Sequence, residues 1–288
     1  MKKHLVAAWK RATGRDVPRR DLLIWPDDVF LVSYPKSGNT WVRFLIANLL
    51  FPNETVSFAN LSQLLPGPFE TTKRDFERVP RPRVIKSHDC FDPRYPRVIY
   101  IVRDPRDVVV SQYHYHRKCK KIEDGYPMEQ FVDRFLAGDT SPHGSWSESV
   151  TTWLTSRYND PRFLLLRYED VTADPKCEVG RIAGFLNISA DSERVSQCVE
   201  RSAADRMRKL EKLQSDKTAL TRDSRKDLSF VRSAKSGGWK RDLPEALIER
   251  IEMKLGHIMK FLNYPLTTRQ ASSSESLFSE LMVRGSAE

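Results

Sequence analysis

From Tyr34 to Trp41 the chain reads Tyr-Pro-Lys-Ser-Gly-Asn-Thr-Trp, placing a lysine, two hydroxyls and a glycine in one short loop. The run Val29 to Ser33 before it suits a buried strand, and Trp41, Phe44, Leu45 and Leu49 after it are spaced for a helix. A glycine at such a turn lets successive N–H groups face one concavity, toward which the helix directs its positive end. Lys36, Ser37, Gly38, Asn39 and Thr40 therefore suit a cradle for a phosphate-like anion; the plain alternative is an ordinary turn with a surface lysine. Lys36 and Ser37 precede the glycine, so this is not the nucleotide loop GxxxxGK(S/T). No strand ends in an evident magnesium-binding aspartate, which argues against an ATPase.

Two more places carry candidate chemistry. His88 follows Lys86 and Ser87 at the end of a short strand, and an imidazole with an ordinary pKa of about 6.5 can take a proton from a hydroxyl at neutral pH. Cys90, two residues on, is a poor partner for it, and His114 and His116 diverge on a helix. Arg103 ends the apolar run Val98 to Val102, where doubly wound sheets bind their ligands. A guanidinium there can grip a terminal phosphate with two hydrogen bonds, or pair with Asp104 or Asp107 instead. Asp104-Pro105 then opens a helix that carries Ser111.

The elements that must hold these groups alternate between strand and helix. Arg83–Lys86 and Phe163–Leu166 complete four expected strands, and helices are expected over 128–137, 145–158 and 175–186. That pattern predicts an α/β protein of three layers, α/β/α, around a central, mostly parallel sheet. Asp242 and Glu245 suggest a capping box ahead of a helix carrying Leu247, Ile251, Leu255, Ile258 and Leu262. Residues 213–240 suggest a long mobile loop. Residues 1–26 are expected to be a basic extension, 27–266 the domain, and 267–288 a disordered tail.

Composition narrows the class. The 288 residues are 40% hydrophobic, enough for a substantial core, yet apolar runs such as FLLL and VIYIV fall far short of the ~20 residues that span a bilayer. Of the net charge of +10, +6 lies in residues 1–20, which leaves no extended basic stripe for nucleic acid and suits a small anionic ligand. Leu5, Ala8, Trp9 and Ala12 in that extension could form a weak peripheral membrane contact, although a solvated extension is the simpler expectation. Four cysteines without a CxxC pair suggest reduced thiols in the cytoplasm.

The segments together resemble the cytosolic sulfotransferase family, enzymes that use 3′-phosphoadenosine 5′-phosphosulfate (PAPS). The family's loop YPKSGTTW differs only at Asn39, and Val98–Ser111, Lys86-Ser87-His88, Arg167–Asp170 and Phe230–Lys240 match further family segments in order, over roughly residues 27–265. The resemblance implies PAPS as sulfuryl donor, no metal, and a small-molecule or glycolipid acceptor. It assigns Arg103 and Ser111 to the 3′-phosphate, the loop Lys36–Thr40 to the phosphosulfate, and Trp41, Tyr168, Ser202 and Arg232 to the nucleotide. His88 would be the base, with Lys36 and Lys86 aiding transfer. Tyr168 could equally be a core residue behind its strand. Ala204, Ser233 and Ala234 depart from the family pattern, and Lys235 is the nearest replacement for the lost lysine. The segments Leu64–Phe69, Phe91, Tyr113–Tyr115 and Gly144–Trp146 could line an acceptor site. Rival readings are a nucleotide-dependent phosphotransferase and a non-catalytic basic binding module.

Overall fold

The computed structural model describes residues 9–214, 223–232 and 234–268. Its sheet has the order β2–β1–β3–β4, with β1 Val29–Ser33, β2 Val84–Ser87, β3 Arg97–Val102 and β4 Phe163–Arg167. All pairings are parallel: Leu31 lies opposite Lys86 on one side and Ile99 on the other, and Tyr100 opposite Leu165. A strand covered on both faces needs no polar alternation, and every residue of β1 is buried. The principal helices are α1 (Asn39–Leu50), α2 (Pro105–Lys118), α3 (Met128–Ala137), α4 (Trp146–Arg157), α5 (Pro175–Phe185), α6 (Ser192–Arg201), α7 (Ala204–Gln214) and α8 (Glu245–Phe261).

The pleat of β1 sends alternate side chains to opposite faces. Phe30 and Val32 enter one core with Val109 of α2, Trp153 of α4 and Ile251 of α8. Val29 and Leu31 enter the other with Leu45 of α1, Ile182 of α5 and Cys198 of α6. The expected three layers are therefore present. The helix after β1 covers one face and the helix after β3 the other. Between two adjacent parallel strands whose connections part in this way, a crevice opens at the carboxyl ends.

Local chemistry fixes where the helices begin. The Asp104 side chain accepts from Arg106 N–H ahead of Pro105, and Asp174 accepts from Cys177 N–H ahead of Pro175. Ser145 and Glu148 form a complete capping box at α4, a device whose cap residue contributes about 0.5–2 kcal/mol. The capping box expected from Asp242 and Glu245 does not form. Pro244 is the N-cap of α8, and Asp242 ends a four-residue helix where it pairs with Arg232 and Arg241. Much of the expected 213–240 loop is also ordered by contacts, while 215–222 and Ser233 lie outside the described residues. So do Leu5 and Ala8, and the tail beyond 268.

The N-terminal segment is tied to the domain from Gly14 onward. Gly14 and Asp16 carbonyls accept from Arg74 and Lys73 N–H, and Arg19 N–H donates to Pro68. Trp9 remains half exposed beneath the Arg15 guanidinium. Among the described residues no helix is long and apolar enough to cross a membrane.

Candidate functional site

A cavity of about 370 Å³ occupies the crevice, and Lys36, Lys86, His88, Arg103, Ser111 and Arg232 all line it. Backbone shape brings the loop after β1 over the opening. Lys36 has φ 73° and Gly38 φ 102°, the left-handed region that a side chain disfavours. A Cβ on Gly38 would lie 2.4 Å from the Tyr168 ring, so glycine is needed both for the turn and for the close approach. Gly38 is also the N-cap of α1 and supplies no side-chain cap, leaving the positive end of that helix at the loop.

The cations of the cavity are tightly placed. Lys36 Nζ lies 4.5 Å from the Tyr115 ring centroid and 4.2 Å from that of Phe230. Burial, then the neighbouring Arg103 charge, pulls its pKa down to about 8. Arg103 donates from Nη1 to the Lys36 carbonyl at 3.4 Å and from Nη2 to the Lys235 carbonyl at 3.2 Å. Its guanidinium stacks 4.2 Å over Tyr168 and lies 3.7 Å from Asp107. The ion pair with Asp107 and exposure to the cavity thus coexist. Asp104 pairs with Arg106 instead, and Arg106 also meets Glu252 and the Trp239 ring, closing α8 onto α2.

His88 is oriented from β1. Its Nδ1 lies 2.8 Å from the Ser33 carbonyl oxygen, which can only accept, so Nδ1 carries the hydrogen and Nε2 keeps a lone pair. Burial, then the Lys86 charge, pushes the His88 pKa well below its ordinary value. The His143 ring stands 5.5 Å away, with its Nδ1 3.7 Å from Asp89. Lys86 pairs with Glu70 at 3.3 Å, and burial lowers the Lys86 pKa in spite of that partner.

The remaining predicted residues divide into two groups. Gly38, Asn39, Thr40, Trp41 and Tyr168 line the cavity. Asn39 is buried and donates to Ser33 Oγ, while Trp41 and Tyr168 meet edge to face at 5.8 Å. Ser37 and Ser202 are fully buried and do not line it. Ser37 Oγ has no hydrogen-bond partner among the described residues. Ser202 accepts from Asn48 at Oγ and from Trp41 Nε1 at its carbonyl, so it holds the indole in place. Lys235 is exposed and brings only its carbonyl to Arg103, contrary to the expectation that its charge would enter the site.

Sequence reasoning missed part of the wall. Met207 on α7 lines the cavity, and Glu211 on the same helix accepts from Phe230 and Val231 N–H, fixing the late segment across it. Asp107 does the same from the other side, accepting from Gly237 and Trp239 N–H at 2.7 and 3.1 Å. Of the segments expected at an acceptor site, Tyr115 lines the cavity; beside it stand Thr140, Ser141 and His143, which were not expected. The polar run Thr140-Ser141-Pro142-His143 was the available signal. Among the described residues no cluster of three or more His, Cys, Asp or Glu could hold a metal ion.

Residues 26–273 match the family described as sulfotransferase domain. Sulfotransferase 1A1 of Bos taurus is 30% identical over 253 residues, covering 82% of this chain and 84% of that protein. Amine sulfotransferase of Oryctolagus cuniculus is 27% identical over 259 residues, covering 85% and 84%. In structure, mouse sulfotransferase SULT7A1 complexed with PAP superposes with a TM-score of 0.66 at 24% identity, over 83% of this chain and 87% of that one. Retinol dehydratase in a complex with retinol and PAP gives 0.68 at 20% identity, over 88% and 86%. The family match across nearly the whole described chain, on a fold shared with both structures, shows that this protein belongs to the sulfotransferase-domain family.

Proposed function

We propose that the protein transfers a sulfuryl group from PAPS to a hydroxyl or amine of a small-molecule, lipid or sugar acceptor, with the acceptor and leaving oxygens in line across the sulfur. One observation carries this reading: Lys36, His88 and Arg103, from the carboxyl ends of three adjacent strands, open into one cavity. The residues present fit such a donor. Arg103 Nε is buried without a partner among the described residues, and six Lys and Arg side chains but no carboxylate line the cavity. PAPS carries roughly four negative charges near neutral pH, so cations that keep their charge are what its pocket needs.

In this reading Arg103 and Ser111 hold the 3′-phosphate, with Arg232 nearby, and Trp41 stacks on one side of the adenine with Tyr168 as a further contact. The loop Lys36–Thr40 and the N-terminus of α1 hold the phosphosulfate end. The donor, when bound, supplies an electrophilic sulfur and a phosphate leaving group. His88 Nε2 takes the proton of the acceptor, since Nδ1 is committed to Ser33. Lys36 steadies negative charge at the leaving oxygen and Lys86 holds the sulfuryl oxygens. These charges do work that metal ions do in phosphoryl transfer. The catalytic domain spans residues 27–266 and acts in the cytoplasm without a nucleic-acid partner, touching membranes at most through residues 1–20. Labelled sulfate from PAPS should pass to some member of a panel of phenols, alcohols, sugars and amines; a folded protein that labels none of them contradicts the reaction.

A further inference from the structure

The cavity holds more positive charge than its donor chemistry uses. Lys36, Lys86, Arg103 and Arg232 serve the proposed donor; Arg43 and Lys121 also line the wall. Arg43 is the most constrained of these. Its side chain projects from α1, is 1% exposed, and uses Nη2 to donate to the Leu65 carbonyl at 2.6 Å. Its Nε is buried with no hydrogen-bond partner among the described residues. The nearest carboxylate, Glu70, lies 3.5 Å from Nη2 and is shared with Lys86 at 3.3 Å. Glu70 Oε1, the atom facing Arg43, makes no hydrogen bond there. One carboxylate thus faces two cations, the fully buried Arg43 and the partly buried Lys86.

An uncompensated buried charge is costly, and a guanidinium does not shed its proton to escape that cost. Arg43 lies at the base's end of the cavity, because it shares Glu70 with Lys86, two residues before His88, and lines the same wall. The wall there is polar: His143 stands beside His88, and Gln112 accepts from Thr140 at 2.7 Å. An apolar phenol or sterol would leave the Arg43 charge with no anion beyond the shared Glu70.

We propose that Arg43 is a specificity-determining residue, and that the acceptor carries its own anionic group, a carboxylate or phosphate, which the Arg43 guanidinium receives while the nucleophilic hydroxyl or amine meets His88. This rests on the sulfotransferase reading, because it places an acceptor in the cavity beside the donor. Lys86 stays with the sulfuryl oxygens, so the two cations divide the two anions between them.

The test measures equilibrium binding of matched acceptor pairs to the full chain saturated with adenosine 3′,5′-bisphosphate. The pairs are 4-hydroxyphenylacetate with its methyl ester, and glucosamine 6-phosphate with glucosamine. In at least one pair the charged member should bind about tenfold or more tightly, as a hydrogen-bonded charge warrants. Arg43→Gln should bring that ratio close to one, and Arg43→Lys should keep part of it. If the wild type shows no preference for the charged member of either pair, or if the preference survives Arg43→Gln, the proposal is overturned. The bisphosphate titration that precedes the pairs reports separately on the donor site. Failure at that step contradicts the sulfotransferase reading, whereas success there with no charge preference contradicts only the role of Arg43.

Discussion

Arg103 donates from Nη1 to the main-chain oxygen of Lys36 at 3.4 Å, so the residue that follows β3 touches the loop that follows β1. The two are 67 residues apart in sequence. Their meeting follows from topology, since adjacent parallel strands with helices on opposite faces leave their carboxyl ends open to the same crevice. The same contact brings two cations together in a buried place, which is one cause of the lowered Lys36 pKa.

Removal of the His88 imidazole should stop transfer without emptying the donor site. His88→Ala is expected to lower kcat by about 10²–10⁴-fold, the range for a positioned general base, while adenosine 3′,5′-bisphosphate binds as before. Steady-state kinetics beside calorimetry checks this; normal turnover by the folded variant removes the base assignment.

The pH profile should be set by two groups lowered from their ordinary values. His88 must be neutral to accept a proton, and its lowered pKa keeps it neutral down to pH values below 6.5, so activity should fall only on further acidification. Lys36 must be charged, and with a pKa of about 8 it loses its proton as pH rises through that value. kcat/KM should therefore be bell-shaped, with its alkaline limb near pH 8. Anion binding favours charged Lys36, so at pH 8.5 Lys36 should take up part of a proton when the bisphosphate binds. Calorimetry in buffers of differing ionisation enthalpy measures it, and no uptake in the wild type, or equal uptake in Lys36→Ala, contradicts the assignment.

Gly38→Ala should fail on two counts, because a methyl group would strike the Tyr168 ring and the backbone would keep φ 102°. A residue held in such a region costs about 1–3 kcal/mol. Denaturant unfolding should show that loss, and in a Tyr168→Ala background Gly38→Ala should cost less, because the clash is relieved and only the backbone strain remains. Full stability of the single variant contradicts the geometry.

Arg106→Ala should destabilise the whole domain while leaving the cavity cations in place. The guanidinium serves the buried Asp104 and Glu252 together, and breaking such a buried pair costs about 3–5 kcal/mol. Chemical denaturation measures it; a loss under about 1 kcal/mol shows that the cluster does not hold α8, since a cost that small is typical of an exposed pair.

The four strands and most helices were legible because each is short, strongly patterned and bounded by a proline or a cap, as at Asp104-Pro105 and Asp174-Pro175. The Lys36 loop was legible because its residue types cluster locally. Less visible were groups brought in from afar. Met207 and Glu211 belong to a charged helix whose sequence, Ala204 to Gln214, has few apolar residues to declare it. Arg43 lies within an apolar helix, where nothing in sequence marks an arginine as facing a cavity. Asp242 reads as a capping residue because it stands three before Glu245, but Arg232 and Arg241 take its carboxylate instead. In each case the side chain's role is set by contacts that local spacing does not encode.

The joint grip of Lys36 and Arg103 on one adenine-based anion is tested most directly by thermal denaturation with adenosine 3′,5′-bisphosphate, compared with ATP and magnesium. A ligand held at 100 times its Kd stabilises by about 2.7 kcal/mol. The bisphosphate should raise Tm accordingly, and Lys36→Ala and Arg103→Ala should each weaken the rise. A shift with ATP and magnesium alone, or a bisphosphate shift unchanged in both variants, contradicts the account.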